Sequence, residues 1–174
     1  MPITRLNHAV LYVRDVERSV GFYQGVLGFS RVAELSGIPG AAFLRAPAST
    51  NDHDLGLFEI GSGAGGSAAG RSTVGLYHLA WEVDTLAELE RLAGALSASG
   101  ALVGATDHTT TKSLYGKDPD GLEFEVAWVV PADRLADARA AAGSGPPLRR
   151  LDIAAEKARF GADTRGGVGV SVSA

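Results

Sequence analysis

The chain has 174 residues, which is enough for one domain with a sizeable core or for two very small units that share a core. Its net charge of −4 gives no electrostatic basis for binding nucleic acid, and no apolar stretch approaches the roughly 20 residues that span a bilayer. It contains no cysteine, so any metal must be held by nitrogen and oxygen, and we expect a cytoplasmic protein.

The first predicted module covers residues 5–60. Residues 6–13 are rich in β-branched and aromatic side chains and predict a strand that carries His8. Asp15 is a favourable N-cap, and a helix is predicted after it because apolar residues follow at helical spacing. Turns that contain glycine and proline then separate three short predicted strands, near 29–35, 41–46 and 55–60. The predicted order of elements is therefore β-α-β-β-β.

The second predicted module, residues 75–130, repeats this order after a Gly/Ser/Ala-rich linker at 61–74. Its first strand, 76–83, carries His78, and Asp84 is the predicted N-cap of the helix that follows. Four leucines of that helix recur at spacings of three, three and four, which predicts one buried face. Three further strands are predicted near 101–106, 111–116 and 122–129.

Residues 132–174 have no counterpart in either module. Their composition predicts two short helices joined by the sequence SGPP, followed by a loose glycine-rich end. No chemistry is apparent in this C-terminal helical extension, so we interpret it as a packing or oligomerisation arm.

Each module carries one histidine near its start and one glutamate near its end. His8 and His78 lie 70 residues apart, and Glu59 and Glu125 lie 66 residues apart. A repeat of this length with metal-type side chains at matching places predicts that two similar units build one metal site between them. Imidazole and carboxylate together suit divalent iron, zinc, nickel, manganese or cobalt.

Three segments of the chain resemble the vicinal oxygen chelate superfamily, which includes glyoxalase I, extradiol dioxygenases and the bleomycin- and fosfomycin-resistance proteins. These segments are LNHAVLYVRDVERSVGFYQGVLGF, GLYHLAWEV and YGKDPDGLEFEV. The resemblance implies an α+β fold in which two βαβββ modules form one domain, residues 1–131, with an open barrel cleft around a divalent metal.

The resemblance is most specific to the members that cleave catechol rings. In those members two histidines and one glutamate hold Fe(II), and His8, His78 and Glu125 match their places. The implied activity is the metal-dependent cleavage of a small aromatic vicinal diol by O₂. The implied metal is Fe(II), although Ni(II), Zn(II) or Mn(II) would suit the same ligand types.

Three further residues match catalytic positions of the ring-cleaving members. His53 matches a histidine that acts as acid–base catalyst, just before the fourth strand of the first module. His108 and Tyr115 resemble a histidine–tyrosine pair that precedes the terminal DPDG sequence. All four histidines of the chain thereby find a place in one implied site.

Two other functions remain open at this point. Glyoxalase I resembles this arrangement with a fourth ligand, and Glu59 could complete such a set for a metal-dependent lyase or isomerase. A third class of relatives binds antibiotics in the cleft without the ligand set. Many relatives dimerise, so a homodimer is also implied, while nucleic acid and membrane are not expected partners.

Overall fold

The computed structural model describes residues 2–3, 5–33, 37–70 and 72–167. The chain divides into two compact units. The first unit is Met1–Ala68 together with Asp118–Gly121, and the second unit is Ala69–Lys117 together with Leu122–Ala174. No helix in the described ranges is both long and apolar enough to cross a membrane.

The first unit contains one βαβββ module with a four-stranded sheet. Strand β1 pairs in parallel with β4, and the order across the sheet is β1-β4-β3-β2. Its elements are β1 (Ala9–Val13), α1 (Val16–Gly25), β2 (Ser30–Arg31), β3 (Ala41–Arg45) and β4 (Leu55–Glu59). The predicted element order is confirmed for this module, although β2 is much shorter than the predicted strand, part of which lies outside the described residues.

Helix α1 begins where the sequence predicts. The Asp15 side chain accepts a hydrogen bond from the Arg18 amide at 2.9 Å, because a short carboxylate at the N-cap can reach the free amides of the first turn. The helix buries one face against strands β3 and β4, where Leu55 and Leu57 are fully buried. This packing leaves the opposite face of the sheet free of helices within the unit.

The second unit contains the other βαβββ module and the C-terminal extension. Its five-stranded sheet has the order β5-β8-β7-β6-β9, with β5 parallel to β8. The module consists of β5 (His78–Val83), α2 (Leu86–Ala98), β6 (Leu102–Asp107), β7 (Thr111–Lys117) and β8 (Glu123–Val129). Two βαβββ modules therefore make a mixed α+β protein, as the sequence predicts.

Helix α2 confirms the predicted leucine face and corrects the predicted cap. All four predicted leucines are buried, with Leu86, Leu89 and Leu96 fully inaccessible. The N-cap is Thr85 rather than Asp84, because the Thr85 hydroxyl accepts a hydrogen bond from the Glu88 amide at 3.2 Å. Two adjacent residues can both cap a helix, and sequence alone does not choose between them.

The C-terminal extension packs against the second module. It contains a short 3₁₀ turn (Ala132–Arg134), α3 (Leu135–Ala142), β9 (Arg149–Arg150) and α4 (Ile153–Phe160). Phe160 is buried against Trp128 of β8, with ring centroids 5.5 Å apart. Strand β9, which the sequence analysis did not predict, pairs antiparallel with the edge of β6. The predicted loose end lies mostly outside the described residues.

The DPDG turn, Asp118–Gly121, is grouped with the first unit although its flanking strands belong to the second. Asp120 accepts hydrogen bonds from the side chains of Arg14 at 2.9 Å and Arg18 at 2.6 Å. The buried Tyr23 hydroxyl donates to Asp118 at 3.2 Å, and burial, reinforced by the Asp118 charge, raises the pKa of Tyr23. The turn is thus fixed to helix α1.

Candidate functional site

His78 and Glu125 face each other across two neighbouring strands of the second unit. His78 begins β5 and Glu125 lies in β8, where Ala80 pairs with Glu125. Because side chains alternate along a strand, His78 and Ala80 share the face on which Glu125 projects. His78 Nε2 lies 3.2 Å from Glu125 Oε2, and both side chains are partly buried.

This pair fits two ligands of one divalent metal. Metal–nitrogen and metal–oxygen bonds of about 2.1 Å at tetrahedral or octahedral angles place two donor atoms about 2.9–3.4 Å apart. The 3.2 Å separation of the His78 and Glu125 donor atoms falls in that range. The other ring nitrogen of His78, Nδ1, is buried and has no hydrogen-bond partner among the described residues.

Tyr115 and His108 form a second pair on the same face of this sheet. Tyr115 lies directly opposite Glu125 in the β7–β8 ladder, and its ring centroid is 6.0 Å from that of His78. The Tyr115 hydroxyl and His108 Nε2 are hydrogen bonded at 2.8 Å. Burial raises the pKa of Tyr115, and the negative charge of Glu125 adds to the effect, so Tyr115 stays a proton donor at neutral pH.

His8 and His53 lie side by side in the first unit. His8 is exposed, one residue before β1, and its Nδ1 is 2.8 Å from Asn7 Oδ1. The His53 ring centroid lies 4.5 Å from that of His8 and 5.1 Å from that of Phe43. His53 is half-buried, and its Nδ1 is buried without a hydrogen-bond partner in the described part of the chain.

The buried carboxylate of Asp54 stabilises the turn that carries His53. Asp54 accepts hydrogen bonds from the Ala46 amide at 2.8 Å, the Ser49 hydroxyl at 2.7 Å and the Asn51 side-chain amide at 2.7 Å. His53 is therefore not a freely solvated loop residue. Its ring is fixed beside His8 by a turn whose geometry Asp54 maintains.

The strand registers correct the predicted equivalence of Glu59 and Glu125. Val10, two residues after His8, pairs with Gly56, whereas Ala80, two residues after His78, pairs with Glu125. The structural counterpart of Glu125 in the first module is therefore Gly56, which offers no ligand. Gly56 follows His8 by 48 residues and Glu125 follows His78 by 47, whereas Glu59 follows His8 by 51, so matching the sequences by their final glutamates shifts the register.

Glu59 instead stabilises helix α1. It ends β4 on the face shared with Leu55 and Leu57, against which α1 packs. Its Oε2 accepts a hydrogen bond from the Val16 amide at 3.0 Å, at the first residue of the helix. A carboxylate at this position satisfies a free amide and favours the positive end of the helix dipole. This engagement disfavours Glu59 as a fourth metal ligand.

Each unit thus brings together part of the predicted set. His78, Glu125, Tyr115 and His108 form one cluster and His8 and His53 form another. Within the residues that the structure describes, no three His, Asp or Glu side chains approach closely enough to be recognised as a metal-binding group. The joint use of His8, His78 and Glu125 stays a prediction.

The sequence analysis missed the importance of Gly56 and Asp54. Counting residues from each histidine to the facing strand would have found Gly56, provided that the length of the β3–β4 loop was known. Asp54 carries a weaker signal, since a Ser/Asn/Asp cluster before a strand predicts only a turn.

The fold and these side chains define a paired βαβββ-module protein with imidazole and carboxylate groups on the sheet faces that the module helices leave uncovered. The chain belongs to the Glyoxalase/Bleomycin resistance protein/Dioxygenase superfamily, whose family model matches residues 5–126. Members of this superfamily typically bind a divalent metal and usually act on small molecules.

Known proteins similar to this chain span several activities. A catechol-2,3-dioxygenase of Bacillus subtilis (strain 168) is 32% identical over 129 residues, which are 71% of this chain and 41% of that protein. The chain thus spans less than half the length of this curated relative. A glyoxylase/bleomycin resistance protein/dioxygenase domain from Frankia sp. EAN1pec matches with a TM-score of 0.63 at 20% identity, covering 78% of this chain and 99% of that one. Lactoylglutathione lyase from Agrobacterium tumefaciens matches with a TM-score of 0.52 at 22% identity, covering 73% and 95%.

Proposed function

We propose that this protein is an extradiol-type dioxygenase that cleaves a catechol-like vicinal diol with O₂. The observation that carries the proposal is Gly56, which occupies the register position of Glu125 in the first module. Gly56 offers no ligand at that position, and the Glu59 carboxylate, which resembles the fourth ligand of glyoxalase I, accepts a hydrogen bond from the Val16 amide instead. The similarity to a catechol-2,3-dioxygenase supports the same choice.

In this proposal His8, His78 and Glu125 hold the metal, with Fe(II) as the preferred ion. Two neutral imidazoles and one carboxylate are the facial ligand set of non-haem iron oxygenases. When bound, the metal would supply Lewis acidity for the substrate hydroxyls and open positions for the diol and O₂. The His78–Glu125 separation of 3.2 Å is compatible with such ligation.

His53 is the proposed acid–base catalyst. An imidazole can take the proton of a diol hydroxyl and return it later. Its Nδ1 is buried with no partner within the described residues, so no hydrogen bond from that part of the protein fixes the protonation of this nitrogen. The Asp54-held turn limits the motion of the ring, which favours proton transfer at a fixed position.

His108 and Tyr115 are the proposed hydrogen-bond donors to the substrate oxygens. Tyr115 has a raised pKa and stays protonated at neutral pH, so it can stabilise negative charge that develops on a nearby oxygen. The Tyr115 hydroxyl has one proton, so its donation to the substrate requires the tautomer in which His108 Nε2–H donates to the Tyr115 oxygen across their 2.8 Å contact. Homodimerisation and a cytoplasmic location stay predictions from the sequence.

The proposal is tested with protein loaded with Fe(II) under anaerobic conditions and then given O₂ and a panel of catechols. We expect O₂ consumption equal to the diol consumed and a coloured ring-opened product. The parallel assay uses Ni(II)- or Zn(II)-loaded protein with a glutathione hemithioacetal. Isomerisation of that substrate without O₂ uptake from any diol would refute the proposal, as would native protein that binds no metal.

A matched pair of variants at Gly56 sharpens the test. Gly56→Glu would add a carboxylate at the register position of Glu125, so we expect it to lower O₂ consumption and to increase retention of Zn(II). Gly56→Ala is the control, because its added Cβ would meet Phe43 and Val10 at 3.4 Å, a tight contact that small shifts can relieve. Equal loss of activity in both variants would mean that steric crowding, and not ligation, explains the effect.

A further inference from the structure

A buried ionic cluster lies at the turn that carries His108. The cluster consists of Asp107, Lys112, Arg149 and Glu156, here called the Asp107 cluster. Lys112 Nζ donates to Asp107 Oδ1 at 2.5 Å and lies 3.0 Å from Glu156 Oε2, although its side chain is only 1% exposed. Arg149 donates to Asp107 Oδ2 from Nη2 at 2.7 Å and from Nε at 3.2 Å. Opposite charges this close together offset the cost of removing them from water.

Asp107 also fixes the backbone of the turn. The Thr109 amide donates to Asp107 Oδ1 at 2.7 Å, and the His108 amide donates to the Thr111 carbonyl at 2.9 Å. Thr109 has a φ of +71°, which a β-branched residue adopts only when its surroundings hold it there. His108 is therefore followed directly by a residue, Thr109, whose unfavourable backbone conformation is held by Asp107.

Two of the four charged groups come from the C-terminal extension. Arg149 lies in β9, which pairs with Thr106 and Asp107 of β6, and Glu156 lies in α4. The extension is anchored independently by Phe160, which is buried against Trp128. Arg149 Nη2 also lies 3.4 Å from the Thr109 hydroxyl. The extension thus contacts both the carboxylate and the strained residue of the turn.

We propose that the C-terminal extension positions His108 for its hydrogen bond to Tyr115, with Arg149 and Asp107 as the positioning residues. This inference rests on the proposed function, in which His108 and Tyr115 donate hydrogen bonds to the substrate. It assigns a role in the reaction to Arg149, a residue outside both βαβββ modules. Without Arg149, only Lys112 and the Thr109 amide would donate to the buried Asp107 carboxylate. Thr109 would then leave its unfavourable backbone conformation.

The test compares three variants of the full chain. Arg149→Met removes the contact between β9 and the turn, and Arg149→Lys keeps the charge and one donor. Lys157→Met is the matched control, because Lys157 is a cation of the same extension that pairs with Glu90 on α2, away from the turn. Thermal unfolding followed by circular dichroism establishes that each variant is folded.

The first readout is the nitrogen NMR spectrum of the histidine rings, recorded without substrate. The chain has four histidines, so the His108 signals can be assigned by their loss in His108→Gln. We expect Arg149→Met to shift the His108 Nε2 signal and to speed exchange of the Thr109 amide by about tenfold or more. Arg149→Lys should keep both the His108 Nε2 signal and the Thr109 exchange rate close to those of the wild type. Lys157→Met should change neither.

The second readout is turnover of the diol. We expect Arg149→Met to lower kcat by roughly 10- to 100-fold with KM changed by no more than about twofold, because a small displacement of a hydrogen-bond donor weakens the transition state more than substrate binding. A folded Arg149→Met protein with unaltered His108 and Thr109 signals would overturn the inference. Altered signals with normal turnover would leave the positioning intact and refute the role of His108 in the reaction.

Discussion

Replacing Glu59 tests whether the metal site has three protein ligands or four. Glu59 was the candidate fourth ligand, yet its carboxylate accepts a hydrogen bond from the Val16 amide at the start of α1. If capping is its role, Glu59→Ala should reduce stability and leave the metal content unchanged. Glu125→Ala is the matched comparison, because it removes a carboxylate that lies 3.2 Å from His78.

The size of the stability change follows from what the helix loses. Asp15 still caps the first turn through the Arg18 amide, so only the Val16 amide and part of the favourable dipole interaction are affected. A partly buried contact of this kind contributes about 0.5–1 kcal/mol. For a chain of this length, that corresponds to a decrease of roughly 1–4 °C in Tm.

The assay combines thermal unfolding with elemental analysis of protein purified without chelator. We expect Glu59→Ala to retain one metal ion per chain, and Glu125→Ala to lose most of it because a ligand is removed. Loss of metal from Glu59→Ala equal to that from Glu125→Ala would refute the argument from strand register and restore the four-ligand arrangement. An unchanged Tm would show that the Val16 contact does not stabilise α1.

Three further predictions concern Asp107, His53 and His78. Burial alone would raise the pKa of Asp107, but hydrogen bonds from Lys112 and Arg149 lower it to about 2; this group therefore stabilises the fold above about pH 4, and about 2 kcal/mol is lost as the pH falls through 2. Urea unfolding at pH 6 and pH 2.5 should show wild type losing more stability than Asp107→Asn, and parallel losses would contradict the assignment. His53→Phe should keep its metal and lose at least about 100-fold in turnover, since it removes the acid–base group; normal turnover would exclude that role. His78→Ala should be isolated without metal, and full metal content by elemental analysis would remove His78 from the ligand set.

The sequence predicts the elements well because their signals are local. The alternation of apolar residues marks the strands, and the spacing of the four leucines marks the buried face of α2. The pairing of His78 with Glu125 can also be predicted from the sequence, since both residues lie in strongly patterned strands of one βαβββ module. Each of these features depends on a few neighbouring residues, so one sequence contains enough information to find it.

The register between strands that are distant in the sequence cannot be predicted in the same way. The counterpart of Glu125 depends on the register of β4 against β1, which the combined length of the elements between these strands sets. A shift of an odd number of residues also reverses the face, which is why Glu59 lies on the helix side of the sheet. Strand β9 was missed for a related reason, because two arginines without a hydrophobic pattern form a strand only where β6 offers an open edge.

The attachment of the DPDG turn to α1 has a consequence for how the chain acquires its structure. Arg14 and Arg18 find their shared carboxylate more than 100 positions later in the sequence, at Asp120. During synthesis helix α1 is therefore made long before Asp120, whose carboxylate pairs with its arginines. Tyr23 is likewise made long before its hydrogen-bond partner Asp118. Completion of the first unit is consequently coupled to synthesis of about half of the second, and contacts of such long separation slow folding.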